Sequence, residues 1–489
     1  MTLRPKLELL SEADIQRIHE ESLALLEDAG MAIHNEEALT LLAQAGCSVD
    51  QGKLRAFIPA SLVEEQLRKA PQSITLYSRD GEPALQLESN KVHFNPGSAA
   101  THLLDRKTGE RRHPRVSDVV EFARMVDALS NIDAQSTAVI PADVPSIIAD
   151  RYRLYLVLQN STKPVITGTF ALDAFDDMRR MLEVIAGSSK KLRDKPLAIF
   201  DACPSAPLNW SKLTVHDLLC CAKAGIPVET ISMPQLGATG PITLAGSLVL
   251  HNAESLSGLV LAQLTSPGAP VIYGGSPTAV DMRYGTARLG AIESIMLTCA
   301  YAQMAKHYGL PTHGYLGLSD AKLPADSQSG FEATTGLILG ALMGINNIAG
   351  VGMLCFESTQ SFEKLLLDEV ICGMAKRMTE GILVTDETLA SEALREVSMK
   401  GGDFLRLRHT LTWFRREHFL PGDLVDRQPY EAWKQQGAPD SQARARKQIA
   451  SILESHQPVP LTSEQKQGLD EIVNDFTKRH KLDPSKLPS

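Results

Sequence analysis

Carboxylates and amides crowd into the stretch Thr312–Glu332, THGYLGLSDAKLPADSQSGFE, at a spacing suited to handling charge. Asp320, Asp326 and Glu332 are the candidate catalytic carboxylates, and Gln328 stands one helical turn before Glu332 on the same face. Just upstream, His313 and Tyr315 share one face of a run that alternates like a strand. Charged groups beyond the C-terminal end of a strand, ahead of a helix, are where an α/β barrel carries its chemistry. Taken alone, the segment also reads as an ordinary βα loop with solvated charges.

Other expected strand ends add to this set. They are Phe94-Asn95, Thr167–Phe170, Asp201–Pro204, Met233–Leu236, Tyr273–Gly275 and Gly350–Met353. Their many small residues leave backbone exposed and imply a wide mouth, suited to a large cofactor or a docking protein. Aromatic residues make up only 5% of the chain, so Phe94, Phe170, Phe200, Tyr273, Tyr315 and Phe356 near the expected rim are informative. Aromatic faces with carboxylates are the materials of a quaternary-ammonium site; each aromatic taken singly reads first as core packing. No metal site is expected, because the thirteen histidines form no HxH, HxxxH or HExxH pattern. A GxSxG nucleophile elbow is absent, and Cys203 reads as a buried structural thiol.

The elements that must position these residues alternate regularly. β-rich runs are expected at 93–97, 135–140, 164–168, 197–202, 228–233, 270–274, 312–317 and 347–352. Helical patterns fill the gaps, and one more follows at 360–377. Such alternation requires a parallel sheet with helices outside it. Eight repeats over residues 91–380 match an α/β fold of the (β/α)8 TIM-barrel type, the catalytic region. Neither GxGxxG after the first strand nor GxxxxGK[ST] occurs, which weakens dinucleotide and P-loop readings. Residues 1–90 read as an N-terminal helical region with a β-hairpin turning at Asp80-Gly81. Residues 381–489 read as a C-terminal helical extension, whose His409, Trp413, Phe414 and His418 are expected to pack on the barrel or a second subunit.

The 489 residues carry a net charge of -9, which argues against nucleic acid or an anionic membrane as the main partner. No apolar leader-like run and no membrane span is read, and the seven cysteines lack CxxC spacing. A cytoplasmic protein with reduced thiols, forming a homo-oligomer, is expected.

Several long stretches resemble the trimethylamine methyltransferase family. They are LLSEADIQRIHEESLALLEDAG, DRKTGERRHPRVSDVVEFARMVDALSNID, PQLGATGPITLAGSLVLHNAESLSGLVLAQL and GLSDAKLPADSQSGFE. The chain looks like a member lacking pyrrolysine, since it contains only standard residues. The resemblance implies methyl transfer from an amine to the cob(I)alamin of a separate corrinoid protein, with no metal bound directly. Without pyrrolysine, it points to a quaternary amine such as glycine betaine, proline betaine or a carnitine-like compound. On that reading Phe94, Tyr273 and Tyr315 surround the trimethylammonium group, and Gln235 or His313 binds the polar tail. Asp320 and Asp326 tune the field, while Gln328 and Glu332 orient the loop. The competing readings are the same chemistry on trimethylamine or another N-methyl amine, a non-catalytic betaine-binding barrel, and a lyase or hydrolase using Asp201 and Asp320.

Overall fold

The computed structural model describes residues 3–488. Each expected β-rich run contains a short strand. These are β1 (His93–Phe94), β2 (Gln135–Ser136), β3 (Val165–Thr167), β4 (Ala198–Ala202), β5 (Val228–Ser232), β6 (Val271–Gly275), β7 (His313–Tyr315) and β8 (Asn347–Ala349). One helix follows each: α1 (Val116–Ala128), α2 (Ala149–Asn160), α3 (Ala174–Ala186), α4 (Lys212–Ala224), α5 (Leu244–Thr265), α6 (Ile292–His307), α7 (Ser327–Met343) and α8 (Phe362–Glu380). The fold is mixed α/β. Strands β2 to β6 form one parallel sheet in chain order, and β7, β8 and β1 form a second.

The two sheets touch at both ends. A parallel bridge joins Tyr273 to Thr312, and the Phe94 carbonyl accepts from the Asp133 and Ala134 amides at 2.9 and 3.3 Å. The strands curl strongly, because Asn347 on β8 donates to Glu229 on β5 at 2.6 Å although β6 and β7 lie between them. Curling gives each strand an inner face and an outer face toward the helices, alternating by residue.

The lower part of the inner face is apolar. Ile166, Ile199 and Ile272 cluster there with Ile74, Leu76, Leu85 and Leu87. These last four belong to the antiparallel hairpin Ile74–Tyr77 with Pro83–Leu87, turning at Asp80-Gly81. That hairpin covers the end of the strands opposite the polar groups. On the outside, helix Glu12–Asp28 begins with the Ser11–Asp14 capping box and packs on α5, where Ser22 Oγ donates to the Val249 carbonyl at 3.1 Å.

Two C-terminal helices also dock. Leu469, Ile472, Val473 and Phe476 of Ser463–Arg479 are buried, and Arg446 of Ser441–Ser455 pairs with Glu363 on α8 at 3.0 Å. Helix Arg408–Glu417 is different from the expected packing on the barrel: it has no buried residue. Its apolar side chains Leu411 and Phe414 stand exposed instead of resting on the barrel. All seven cysteines are free, and no helix among the described residues is long and apolar enough to cross a membrane.

Candidate active site

Alternation along the strands brings one set of polar side chains to the upper inner face. Asp201 pairs in register with Glu229, and His313 pairs with Asn347, which pairs with His93. Asn95, two residues beyond His93, shares that face. Its amide donates to Asn347 Oδ1 at 2.8 Å, and Asn347 Nδ2 donates to Glu229 Oε1 at 2.6 Å. Glu229 Oε2 lies 3.5 Å from His313 Nδ1. Gly274 on the adjacent strand makes room for this imidazole, since a Cβ there would sit 2.9 Å from His313 Nδ1.

Burial dominates the protonation states. It drives His313 down to about 3 and raises the Glu229 carboxyl well above the usual range, with the charge of Asp201 adding to the effect. Both shifts favour the neutral forms, so the His313–Glu229 contact joins two uncharged groups. Burial likewise lifts Asp201 to about 7, against the opposing pull of Arg153. Tyr315 projects among these acids; desolvation, then the charges of Asp201, Glu357 and Glu229, raise its hydroxyl. The same burial pushes the Cys203 thiol up, which argues against a reactive thiolate.

The rim is built by two loops. After β7, Glu332 accepts from Ser319 Oγ at 2.5 Å, from the Asp320 amide at 2.8 Å and from Gln328 Nε2 at 2.8 Å. It is thereby a clamp on the loop. Asp320 Oδ2 accepts from the Gly290 amide at 3.0 Å, while Oδ1 has no partner. Desolvation raises this carboxyl to about 6.

After β8, a hairpin of Met353–Leu354 with Thr359–Gln360 carries Cys355, Phe356 and Glu357 at its tip, with φ of 52°, 60° and 62°. Three consecutive non-glycine residues in the left-handed region are strained by about 1–3 kcal/mol each. Pairing on both sides and a bond from the Cys355 amide to the Ala321 carbonyl at 3.0 Å hold them. The result places the Glu357 carboxyl close enough to Tyr315 to shift it. Burial lifts Glu357 itself to about 7, and Ser276 Oγ donates to it at 3.4 Å.

His313, Tyr315, Asp320, Glu332 and Gln328 are thus brought to the inner face and its rim. Phe94 and Tyr273 are not. Phe94 pairs with Ile348 and is fully buried with the α8 ammonium of Lys376 5.8 Å from its ring centroid. The Tyr273 hydroxyl donates to Asn252 Oδ1 on α5 at 2.8 Å. Both are one residue out of phase with the inner face. Asp326 is an exposed N-cap of α7, accepting from the Gln328 amide at 2.8 Å, rather than a site carboxylate. Gln235 lies beyond β5 in a small sheet, paired with Thr278, with its side chain half-buried.

Glu229, Asn347 and Glu357 escaped the sequence reading, which named Asn95 only as part of a strand end. The signal available for the first was a charged residue in the middle of the expected buried strand PVETIS. Glu357 carried none, because only the hairpin returns it to the site. Two outer cavities, of about 480 Å³ between α3 and α4 and about 610 Å³ beside Leu3, Met374 and Phe419, do not involve these residues.

Comparison with known proteins adds identity to this geometry. A family model for "Trimethylamine methyltransferase (MTTB)" matches residues 2–483. Trimethylamine methyltransferase MttB of Desulfitobacterium hafniense (strain DSM 10664 / DCB-2) is 36% identical over 418 residues, 86% of this chain and 84% of its own. Glycine betaine methyltransferase of Desulfitobacterium hafniense (strain Y51) is 31% identical over 464 residues, 94% of this chain and 95% of its own. Among solved structures, the monomethylamine methyltransferase MtmB of Methanosarcina barkeri aligns over 91% of this chain and 93% of its own, with a TM-score of 0.50. At 11% identity that likeness concerns the fold alone.

Proposed function

The chain belongs to the trimethylamine methyltransferase family and is a methyltransferase; from that premise we propose that it moves a methyl group from a quaternary amine, glycine betaine or a related betaine, to the corrinoid of a partner protein. The observation that carries this reading is that Asp201, Glu229 and Tyr315 share the inner face, where burial and then the charges of Asp201, Glu357 and Glu229 raise the Tyr315 hydroxyl. Asp201 Oδ1 and Glu229 Oε2 have no hydrogen-bond partner. Acids that burial keeps at or above neutrality, beside an aromatic ring, suit a cation held through a ring face and diffuse charge.

A reduced corrinoid supplies the nucleophile for this chemistry. The methyl–nitrogen bond breaks with its electron pair on nitrogen, and a neutral tertiary amine leaves. No proton is needed by that leaving group, so the residues orient rather than act as acids. The donor's positive charge fades on the way to the transition state, which penalises a pocket that grips the cation too firmly. Carboxyls held near or above neutrality by burial, rather than fully ionised, meet that requirement. Beside the Glu357 hairpin the rim offers exposed Arg111, whose Nε donates to Thr359 Oγ1 at 2.9 Å, and exposed His113 to an incoming acceptor protein.

The architecture in this reading is a closed (β/α)8 barrel over 91–380, supported by the contacts at both sheet ends. Residues 1–90 and 381–489 are its extensions. A cytoplasmic homo-oligomer is part of the proposal, supported by exposed Ile382, Val384, Leu405 and Leu411.

A second reading keeps the chemistry with trimethylamine or another N-methyl amine. The unpartnered carboxyl oxygens favour it, since they would accept the N–H of a protonated tertiary amine. The deciding experiment mixes the protein with cob(I)alamin, free or on a corrinoid protein, and a panel of amines. Loss of cob(I)alamin absorbance with release of the demethylated amine is expected with betaines and not with trimethylamine. Silence across the panel with a corrinoid protein supplied would overturn both readings.

A further inference from the structure

Two buried arginines on α2 differ sharply in how their charge is answered. Arg151 meets three carboxylates: Asp150 at 3.3 Å, Asp173 at 3.0 Å and Asp177 at 2.8 Å. Arg153 meets none within 4.0 Å among the described residues. Its Nη1 donates to the Thr137 carbonyl at 2.8 Å, its Nη2 reaches the Gly168 carbonyl at 3.5 Å, and its Nε has no partner at all. The Phe170 ring covers the guanidinium at 4.4 Å from its centroid. A buried cation without an anion is unfavourable, and proteins normally pair it.

Its place in the fold suggests what is missing. Thr137 and Gly168 stand just beyond the C-terminal ends of β2 and β3, the end that carries the acidic set. A Cβ on Gly168 would lie 3.7 Å from that of Asp201. Burial pulls the Arg153 guanidinium down, and the nearby groups that act against it are Asp150, not in contact with it, then Asp201 and Tyr315. The same end of the strands therefore offers unpartnered acceptors, Asp201 Oδ1 and Glu229 Oε2, and an unpartnered donor, Arg153 Nε. A simple cation would answer only the first.

We propose that Arg153 receives the carboxylate of a zwitterionic methyl donor whose quaternary nitrogen sits at Tyr315 and Asp201. This rests on the methyl-transfer reading above and makes Arg153 the residue that selects betaines over carboxylate-free amines. A guanidinium fork matches a carboxylate in two parallel hydrogen bonds, which an ammonium does not. Phe170, 43% exposed, covers the guanidinium face and leaves the in-plane Nε–H without a partner, the edge at which a carboxylate binds.

Calorimetric binding to the full chain tests this without turnover. Glycine betaine, proline betaine and carnitine would be compared with tetramethylammonium, and the best betaine with its amide, which keeps the cation and removes the anion. The unaltered protein is expected to bind a betaine at least tenfold more tightly than either control. Arg153→Gln should weaken the betaine about ten- to hundredfold while leaving tetramethylammonium within about twofold, and Arg153→Lys should recover part of the loss. Equal affinity of the unaltered protein for betaine and amide would overturn the proposal whatever the variants do. So would an Arg153→Gln protein that weakens both ligands alike, the mark of a purely structural arginine. Carboxylate-dependent binding without any methyl loss to a supplied corrinoid protein would instead sustain the role of Arg153 and sink the methyl-transfer reading.

Discussion

Asp201→Asn should make the ligand-free protein more stable, and increasingly so as the pH rises. Burial lifts the Asp201 carboxyl from 3.8 to about 7. Between those values the folded chain holds a proton that the unfolded chain has released, so stability falls as pH rises through the window and levels off above it. About three pH units at roughly 1.4 kcal/mol each set a ceiling of about 4 kcal/mol at pH 8. At pH 5, about one unit into the window, the cost is only about 1.5 kcal/mol. An amide of the same shape carries neither cost. With 489 residues the unfolding entropy is about 1 kcal/mol per degree, so the variant should melt up to about 4 °C higher at pH 8 and about 1.5 °C higher at pH 5. Thermal melts at both pH values, followed by circular dichroism, read this directly. An equal shift at both, or a loss at pH 8, would refute the placement of a strained acid on the inner face. Tetramethylammonium binding should weaken in the same variant, because stability and function oppose each other at this residue.

Other expectations follow from the same geometry. Affinity for tetramethylammonium should rise by up to about tenfold per pH unit between pH 6 and 7, as Asp201 and Glu357, both held near 7 by burial, ionise to answer the cation; calorimetry in buffers of different ionisation heat should show proton release, and pH-independent binding would count against it. Gly274→Ala would drive a Cβ to 2.9 Å from His313 Nδ1 and 3.0 Å from Ile231 Cδ1, costing about 1–3 kcal/mol and more than tenfold in turnover; unchanged turnover would remove His313 from the working site. Tyr273→Phe abandons the 2.8 Å bond to Asn252 and should cost about 1–3 kcal/mol of stability with KM unaltered, whereas a raised KM would return Tyr273 to the pocket. Asp326→Ala removes the α7 cap and should cost about 1 kcal/mol in melts, leaving turnover within about twofold.

The amino-acid sequence by itself determined the succession of eight strands and eight helices. Runs such as ISMP and VIYGG, bounded by glycine and proline, announce buried strands, and the long apolar period of Leu244–Leu264 announces α5. It also determined local contacts: the Ser11–Asp14 capping box, the hairpin at Asp80-Gly81, and Gln328 reaching Glu332 one turn on. These depend on neighbours a few residues apart, whose relative positions the backbone period dictates.

Only the tertiary structure decided which side of each strand faces inward. The strands are two to five residues long and buried on both faces, so no polar alternation marks the inner one. A one-residue step in phase moves a side chain to the opposite face, and that step separates Phe94 from Asn95 and Tyr273 from Gly274. The meeting of Asn95, Asn347, Glu229 and His313 unites residues from four strands, and curling of the sheet alone brings them together. Glu357 reaches Tyr315 through a left-handed hairpin tip that non-glycine residues do not advertise. Sequence separation hides such contacts because the energy that makes them, burial of a common core, belongs to the assembled fold and to no single segment.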